Sequence, residues 1–321
     1  MGIGFSEAFD GFREVMNART PANSDDAAHP ADERPLNALS FDIEDWFHLV
    51  EIDAVANVDD WPGFPSIVER RTDEILGICE EFGVKATFYY LGWIAERYPQ
   101  LVRRTVDAGH EIGSHSYWHR KVSDLDEANF RDDLTTSIKV IEDAGGAPVT
   151  SFRAPSFSIT PGTEWAFDVL LDAGLDYDAS LFPVARENGG YPCPIQPHLF
   201  AEAPSGRTLP ELPMSLMRLG PSQVGFSGGG YLRLFPGWLI RRGFESLHRR
   251  GLPGVVYLHP RDFAPDSPVV PMSASRRFKS YIGLASTNRK LRMLLQRYRF
   301  APCRDVLRHH LPEETSTCST S

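Results

Sequence analysis

NALSFDIEDW, residues 37–46, reads as a β-strand that runs into acid. The apolar and β-compatible residues of 37–43 predict a strand. Asp42 stands at its carboxyl end, and Glu44 and Asp45 follow at once. Working outward, strand-like and helix-like stretches alternate. A helical period over 65–82 carries Ile75, Ile78, Cys79 and Phe82, and Gly83 stops it. VKATFYY (84–90) is a strand, and a helix through Leu101 and Val106 ends at Gly109. HEIGSH (110–115) is a short strand, and 125–143 is helical through Leu134, Ile138 and Ile141. VTSFR (149–153) is a strand and 161–173 a helix that Gly174 stops. DYDASLF (176–182) and GVVYLH (254–259) are the last two strands. Such alternation predicts an α/β fold, a parallel sheet with crossover helices. Asp42, His115, Arg153, Asp178 and His259 all fall at carboxyl ends of these strands. In a parallel barrel those ends share one face, where a site would be built.

Three segments break the pattern. Residues 1–35 read as a flexible leader: a short amphipathic stretch (Phe5, Phe9, Phe12, Met16), then a polar, Pro- and Asp-rich run over 20–35. Residues 190–230 are rich in proline (Pro192, Pro194, Pro197, Pro210, Pro213 and Pro221 among them) and hold Gly228–Gly230, which predicts an inserted loop region with a β-hairpin that shapes a groove. A helical extension is expected over 264–300 and a tail over 301–321, frayed from Glu313 onward. The main domain spans 36–300.

Composition excludes several classes. A net charge of −10 gives no general attraction for nucleic acid or anionic lipid. No apolar run approaches the roughly 20 residues of a membrane helix, and no secretory signal is seen, so a cytoplasmic location is expected. The four cysteines, Cys79, Cys193, Cys303 and Cys318, form no CxxC pair and read as unpaired thiols.

His115 and His119, four apart in HSYWH, can place both imidazoles on one side. That suits a Zn²⁺-class ion, although an isolated pair at this spacing also arises by chance on a surface helix. Three carboxylates after one strand (Asp42, Glu44, Asp45) would repel one another in a dry site without a cation. One can be a ligand and another a general base; a solvated acidic loop is the alternative. Arg153 can pair with the base, and His259 can serve as a general acid.

FDIEDWF (41–47), HEIGSHSYWH (110–119), FRAPSFS (152–158), DYDASLFP (176–183) and VYLHP (256–260) resemble, in this order, the five motifs of the NodB-type polysaccharide deacetylases, carbohydrate esterase family 4. The likeness spans about residues 36–263. GGGYLRLFP (228–236) and 281–300 resemble a subgroup linked to exopolysaccharide gene clusters (PEP-CTERM/exosortase-associated). The resemblance implies a distorted (β/α)7 TIM-like barrel. It implies a metal-dependent hydrolase that removes N-acetyl groups from an amino-sugar glycan and releases acetate. Zn²⁺ is the expected ion, with Co²⁺ or another divalent ion as alternatives. By the same resemblance Asp42 is the general base, His115 and His119 are ligands, and Ser116 steadies the second motif. Arg153 is bound to the base, His259 is the general acid, and Leu258 lies beside the acetate methyl. Asp178 belongs to the fourth motif and joins the expected substrate-binding set. Ile43 follows Asp42 where the family has a second aspartate, so the acidic ligand falls to Glu44 or Asp45, with Glu44 preferred by strand phase. Phe157 stands where the third motif often has Tyr; its backbone N–H is expected to serve an oxyanion. Trp46, Tyr117, Trp118 and Phe157 are candidates for stacking on sugar faces. A cyclic-amide hydrolase of allantoinase type and a non-catalytic glycan-binding domain are the other readings of the same fold.

Overall fold

The computed structural model describes residues 35–49, 52–186 and 188–311. The expected N-terminal leader and the last ten residues, with Cys318, lie outside the described residues.

β1 (Leu36–Ile43) is buried almost throughout, as a strand covered on both faces must be. Ala38 joins Tyr89, Tyr177, Val255 and Tyr257 in an inner cluster. Leu39, Phe41 and Ile43, on the opposite side of the pleat, join the larger cluster with the helices. This alternation carries Asp42 inward with Ala38 and Ser40.

β2 (Thr87–Tyr90), β3 (Glu111–Ser114), β4 (Ser151–Phe152) and β5 (Tyr177–Asp178) follow β1 in order, each parallel to its neighbour. The helices between them are α1 (Val68–Glu81), α2 (Gly92–Arg97), α3 (Pro99–Asp107), α4 (Glu127–Gly145) and α5 (Trp165–Asp172). Beyond β5 come β6 (His198–Phe200) and β7 (Leu209–Glu211), an antiparallel pair. β8 (Leu216–Leu219) and β9 (Ser222–Gly225) form a separate hairpin. After α6 (Gly229–Leu234) and α7 (Gly237–His248), β10 (Val255–Leu258) returns to lie parallel to β1. The result is a curled sheet in the order β10-β1-β2-β3-β4-β5-β7-β6. The fold class expected from the alternation is the one observed.

One boundary differs from the sequence reading. Residues 301–311, expected as a tail, are folded. After α8 (Ala274–Tyr281) and α9 (Thr287–Arg297), β11 (Arg299–Ala301) pairs with the start of β1. α10 (Cys303–His310) then buries Cys303, Val306 and Leu307 in the inner cluster. The hairpin of 190–230 forms, but it packs beside α7 through Phe226 and Phe244, whose rings are 5.5 Å apart. The hairpin itself does not line the cleft, whereas Gly229 and Gly230 at the end of the same region do. Of the two settings in which the four-residue spacing gathers both rings, a turn of helix or a strand end entering a turn, the His115–His119 segment takes the second, with left-handed φ at Ser116 (68°) and His119 (56°).

Candidate active site

The parallel register brings the strand ends level. Asp42 lies opposite Tyr89, Phe41 opposite Leu258, and Ser114 opposite Phe152. His115, Arg153 and His259 are the next residues of their strands, so four elements meet at one face.

Asp42 Oδ1 accepts a 2.7 Å hydrogen bond from Arg153 Nη1. Arg153 is fully buried, also donates to Ser40 Oγ (2.8 Å) and to the Ala179 carbonyl (3.2 Å), and stacks 4.3 Å over Tyr89. A buried guanidinium held this way is fixed in place, and one edge of the Asp42 carboxylate is fixed with it. Asp42 Oδ2 is left facing His259 Nε2 at 3.8 Å.

Glu44, His115 and His119 are all buried, and one ligand atom from each lies within 4.8 Å of the others. His115 Nδ1 donates to the Arg153 carbonyl (2.7 Å), which leaves Nε2 with its lone pair. Burial keeps that ring neutral by lowering its pKa to about 4. α4 fixes the loop that carries both histidines. The Asp133 carboxylate accepts from the N–H groups of Tyr117 and Trp118 at 2.7 and 3.2 Å, and Ser137 bonds Ser114 and the Ser116 carbonyl. Ser116 Oγ in turn accepts from the His119 N–H (3.0 Å). Burial would raise the Glu44 carboxyl, but its direct contact with His119 and the nearby charge of His259 hold it well below the usual carboxylate range. Glu44 Oε2 meets His119 Nε2 at 2.8 Å and has no hydrogen-bond donor placed on it. Two imidazole nitrogens and one carboxylate with an orphaned buried oxygen fit a Zn²⁺-like ion.

His259 is oriented by Asp262, three residues on. Asp262 Oδ2 accepts from both the backbone N–H and Nδ1 of His259 at 2.9 Å. Its other oxygen pairs with Arg233 Nε at 2.9 Å. Burial works against a charged His259, but Asp262 outweighs it and pushes the pKa up to about 9. Nε2 thus carries a proton at neutral pH, 3.8 Å from both Asp42 Oδ2 and Glu44 Oε1. Sequence reasoning missed both partners. Asp262 sits in the same short turn as His259, whereas Arg233 lies on α6 with no local signal to join them.

His48 was also missed. Its Nδ1 accepts from the Asp45 N–H (2.8 Å), so its proton is on Nε2, which is buried and without a partner. Its ring lies 6.4 Å from that of His119.

Other expected residues go elsewhere. Asp45 caps α1: its carboxylate accepts from the N–H groups of Ile67 and Val68 and from Ser66 Oγ at 2.5 Å. It is turned from the histidines, and Glu44 alone of the two reaches them. Asp178 is fully buried against Ser180 and Glu211. Burial and the Asp178 charge hold Glu211 well above the usual carboxyl range, so Glu211 keeps a proton and donates it to Asp178. This pair braces the sheet and does not line the cleft. Leu258 alternates with the inward Tyr257 and so packs in the outer core. Trp46 and Tyr117 are core residues, tied to the Pro65 carbonyl and to Glu96. The Phe157 N–H is already spent on the Ala154 carbonyl (3.0 Å), although its side chain does line the cleft.

The cleft has a volume of about 550 Å³ and is lined by Asp42, Glu44, His115, His119 and His259 together with Phe157 and Tyr257. A second cavity of about 630 Å³, with Trp61 and Trp118 in its wall, adjoins it through His48, Leu49 and His119.

Residues 52–177 match the family described as polysaccharide deacetylase, and residues 179–308 match a domain of unknown function, DUF3473. A peptidoglycan-N-acetylglucosamine deacetylase of Bacillus cereus is 32% identical over 84 residues, 26% of this chain and 30% of that protein. The chain spans less than half the length of the curated relatives it matches. A Mycobacterium smegmatis protein assigned as a polysaccharide deacetylase shares the fold with a TM-score of 0.58, at 20% identity, over 91% of this chain and 94% of that one. Puue allantoinase shares it with a TM-score of 0.57, at 16% identity, over 91% and 97%. The two matched regions meet inside one sheet, where β5 at their junction pairs with β7, and β1, which precedes both regions, lies between β2 and β10. Residues 52–177, which carry His115, His119 and Arg153, are therefore similar to the polysaccharide deacetylases in sequence as well as in fold.

Proposed function

We propose that the protein is a divalent-metal-dependent hydrolase that removes N-acetyl groups from an amino-sugar glycan and releases acetate. The observation that carries this reading is the meeting of three units in one cleft: the Asp42–Arg153 pair, the Glu44–His115–His119 cluster and the protonated His259. Amide hydrolysis needs a base for water, charge for the carbonyl oxygen and an acid for the leaving amine.

Asp42 Oδ2 is the free oxygen of a carboxylate that Arg153 holds by the other, and it is placed to take a proton from water. Glu44, His115 and His119 hold the ion; Zn²⁺ and Co²⁺ both suit these donors. A divalent ion there supplies Lewis-acid charge and lowers the pKa of water toward about 7. His259 Nε2–H gives its proton to the departing nitrogen, which leaves as a free amine. Asp262 holds the His259 ring in line and keeps it protonated until that step. Phe157 and Tyr257 offer apolar faces in the cleft wall for a sugar ring. A place among the deacetylases of exopolysaccharide gene clusters is part of the same proposal, supported by the region that follows residue 178.

The test is acetate release from N-acetylglucosamine oligomers, with free amine appearing in equal amount. Release that vanishes on adding a chelator, and that is lost in Asp42→Asn and His115→Ala, is the expected result. No release from folded, metal-loaded protein across several acetylated glycans would contradict the proposal.

A further inference from the structure

The cleft carries more positive charge than the proposed reaction uses. Arg186, Arg233 and Arg261 line it, and among the described residues its carboxylates are Asp42, Glu44 and Asp262. Each carboxylate is already committed: Asp42 to Arg153, Glu44 to the histidine cluster, and Asp262 to Arg233 and His259. The chain as a whole has a net charge of −10, so cations at the cleft do not reflect a general excess.

Arg261 is the informative one. It is 7% exposed, and its one side-chain hydrogen bond among the described residues is a 3.3 Å contact from Nη2 to the Ser280 carbonyl. Its Nε is buried without a partner, and among the described residues no carboxylate lies within ion-pair distance of it. The nearby Asp262 charge is divided between two closer partners. Burying a guanidinium with an open donor is costly unless an anion completes it. Arg186, half-buried, also lines the cleft. Its guanidinium lies 4.4 Å over Phe182 and 5.5 Å over Phe157, and its Nη1 is buried without a partner. Arginine forks in a partly dry cleft suit carboxylate and phosphate oxygens, and a cleft of one sign concentrates oppositely charged substrate.

From this we infer that the cleft takes an anionic glycan, in which the acetamido sugar stands next to a unit bearing a carboxylate or phosphate group. Arg261 and Arg186 are the residues that receive that group. The inference rests on the deacetylase reading for the acetamide and on the two arginines for the anion.

Three probes separate the possibilities: neutral N-acetylchitotetraose, a hyaluronan tetrasaccharide (uronate beside N-acetylglucosamine) and UDP-N-acetylglucosamine (diphosphate). Each is measured twice, by acetate release with the metal-loaded protein and by calorimetric binding to the chelated protein. At least one anionic probe is expected to exceed the neutral one by about tenfold in kcat/KM and in affinity, the scale of one charge-assisted hydrogen bond. Its lead should shrink as salt rises from about 0.02 to 0.3 M. It should also shrink in Arg261→Gln and in Arg186→Gln, mainly through KM. Uronate and diphosphate arms show which oxyanion is preferred. Equal binding of neutral and anionic probes, or a lead that survives both substitutions, overturns the inference. Arginine-dependent anion binding without any acetate release would instead sink the deacetylase reading and leave the anion site standing.

Discussion

His259 does its work through Asp262, which binds both its backbone N–H and its ring Nδ1. The pKa of about 9 comes mainly from that carboxylate working against burial. Asp262→Asn should therefore move the alkaline limb of the kcat/KM profile to lower pH and reduce the rate at pH 8; an unmoved limb would remove His259 from the acid role. His259→Gln should lower kcat by about 10²–10⁴-fold, the usual worth of a positioned acid, with metal content unchanged. At this scale the sequence showed a good deal. Asp42, His115, Arg153 and His259 were legible because each is a polar residue at the end of an apolar strand. Glu44 and Asp45 could not be separated with the same force. What decides between them is Ser66 and the N–H groups of Ile67 and Val68, which reach Asp45 from more than twenty residues away. Arg233 lies 26 residues before His259, just after Gly228–Gly230, with nothing local to mark its carboxylate partner.

Asp45 shows how one element supports the site without entering it. By capping α1 it satisfies N–H groups that would otherwise be orphaned at the helix start, just after the strand that carries Asp42 and Glu44. Asp45→Ala should cost about 1–2 kcal/mol of stability, the usual worth of a cap, while the metal dissociation constant changes little. A large loss of metal affinity with normal stability would return Asp45 to the ligand set. Elements were legible where periodicity was long: α1 and α4 fall within a few residues of their expected spans. The short strands were seen a residue or more too long, because β-branched residues continue past the paired backbone; 149–153 reduces to Ser151–Phe152. The left-handed turn at Ser116 and His119 was not visible, since it depends on Asp133 and Ser137 reaching across from α4.

On the scale of the molecule, two sequence regions build one sheet. β1 pairs with β2 on one hand and with β10 and β11 on the other, so neither region has a complete core alone. A chain ending at residue 178 should lack a cooperative thermal transition by circular dichroism. Removal of residues 299–311 should also destabilise the fold strongly, because α10 seals the inner cluster. Stability should depend on pH through histidines far from the cleft. Burial lowers His110 and His248 to about 4, and the unfolded chain returns them to about 6.5. The unfolded state then binds more protons between those values, so stability is full above about pH 6.5 and falls as the pH drops toward 4. His248→Gln, which keeps a donor for Asn37 Oδ1, should flatten the slope of Tm over that window. The overall fold was legible from alternation alone. The role of 301–311 was not, because its partners are the first residues of β1, some 260 positions earlier. The central claim is that Glu44, His115 and His119 hold one ion that amide hydrolysis requires. The most direct measurement titrates Zn²⁺ into metal-free protein and follows bound metal and acetate release from N-acetylglucosamine oligomers in the same samples. The account predicts that release rises in proportion to bound metal and levels off at one ion per chain, with both signals lost in His115→Ala. Release that persists without metal, or a full ion bound with no release from any acetylated glycan, would contradict it.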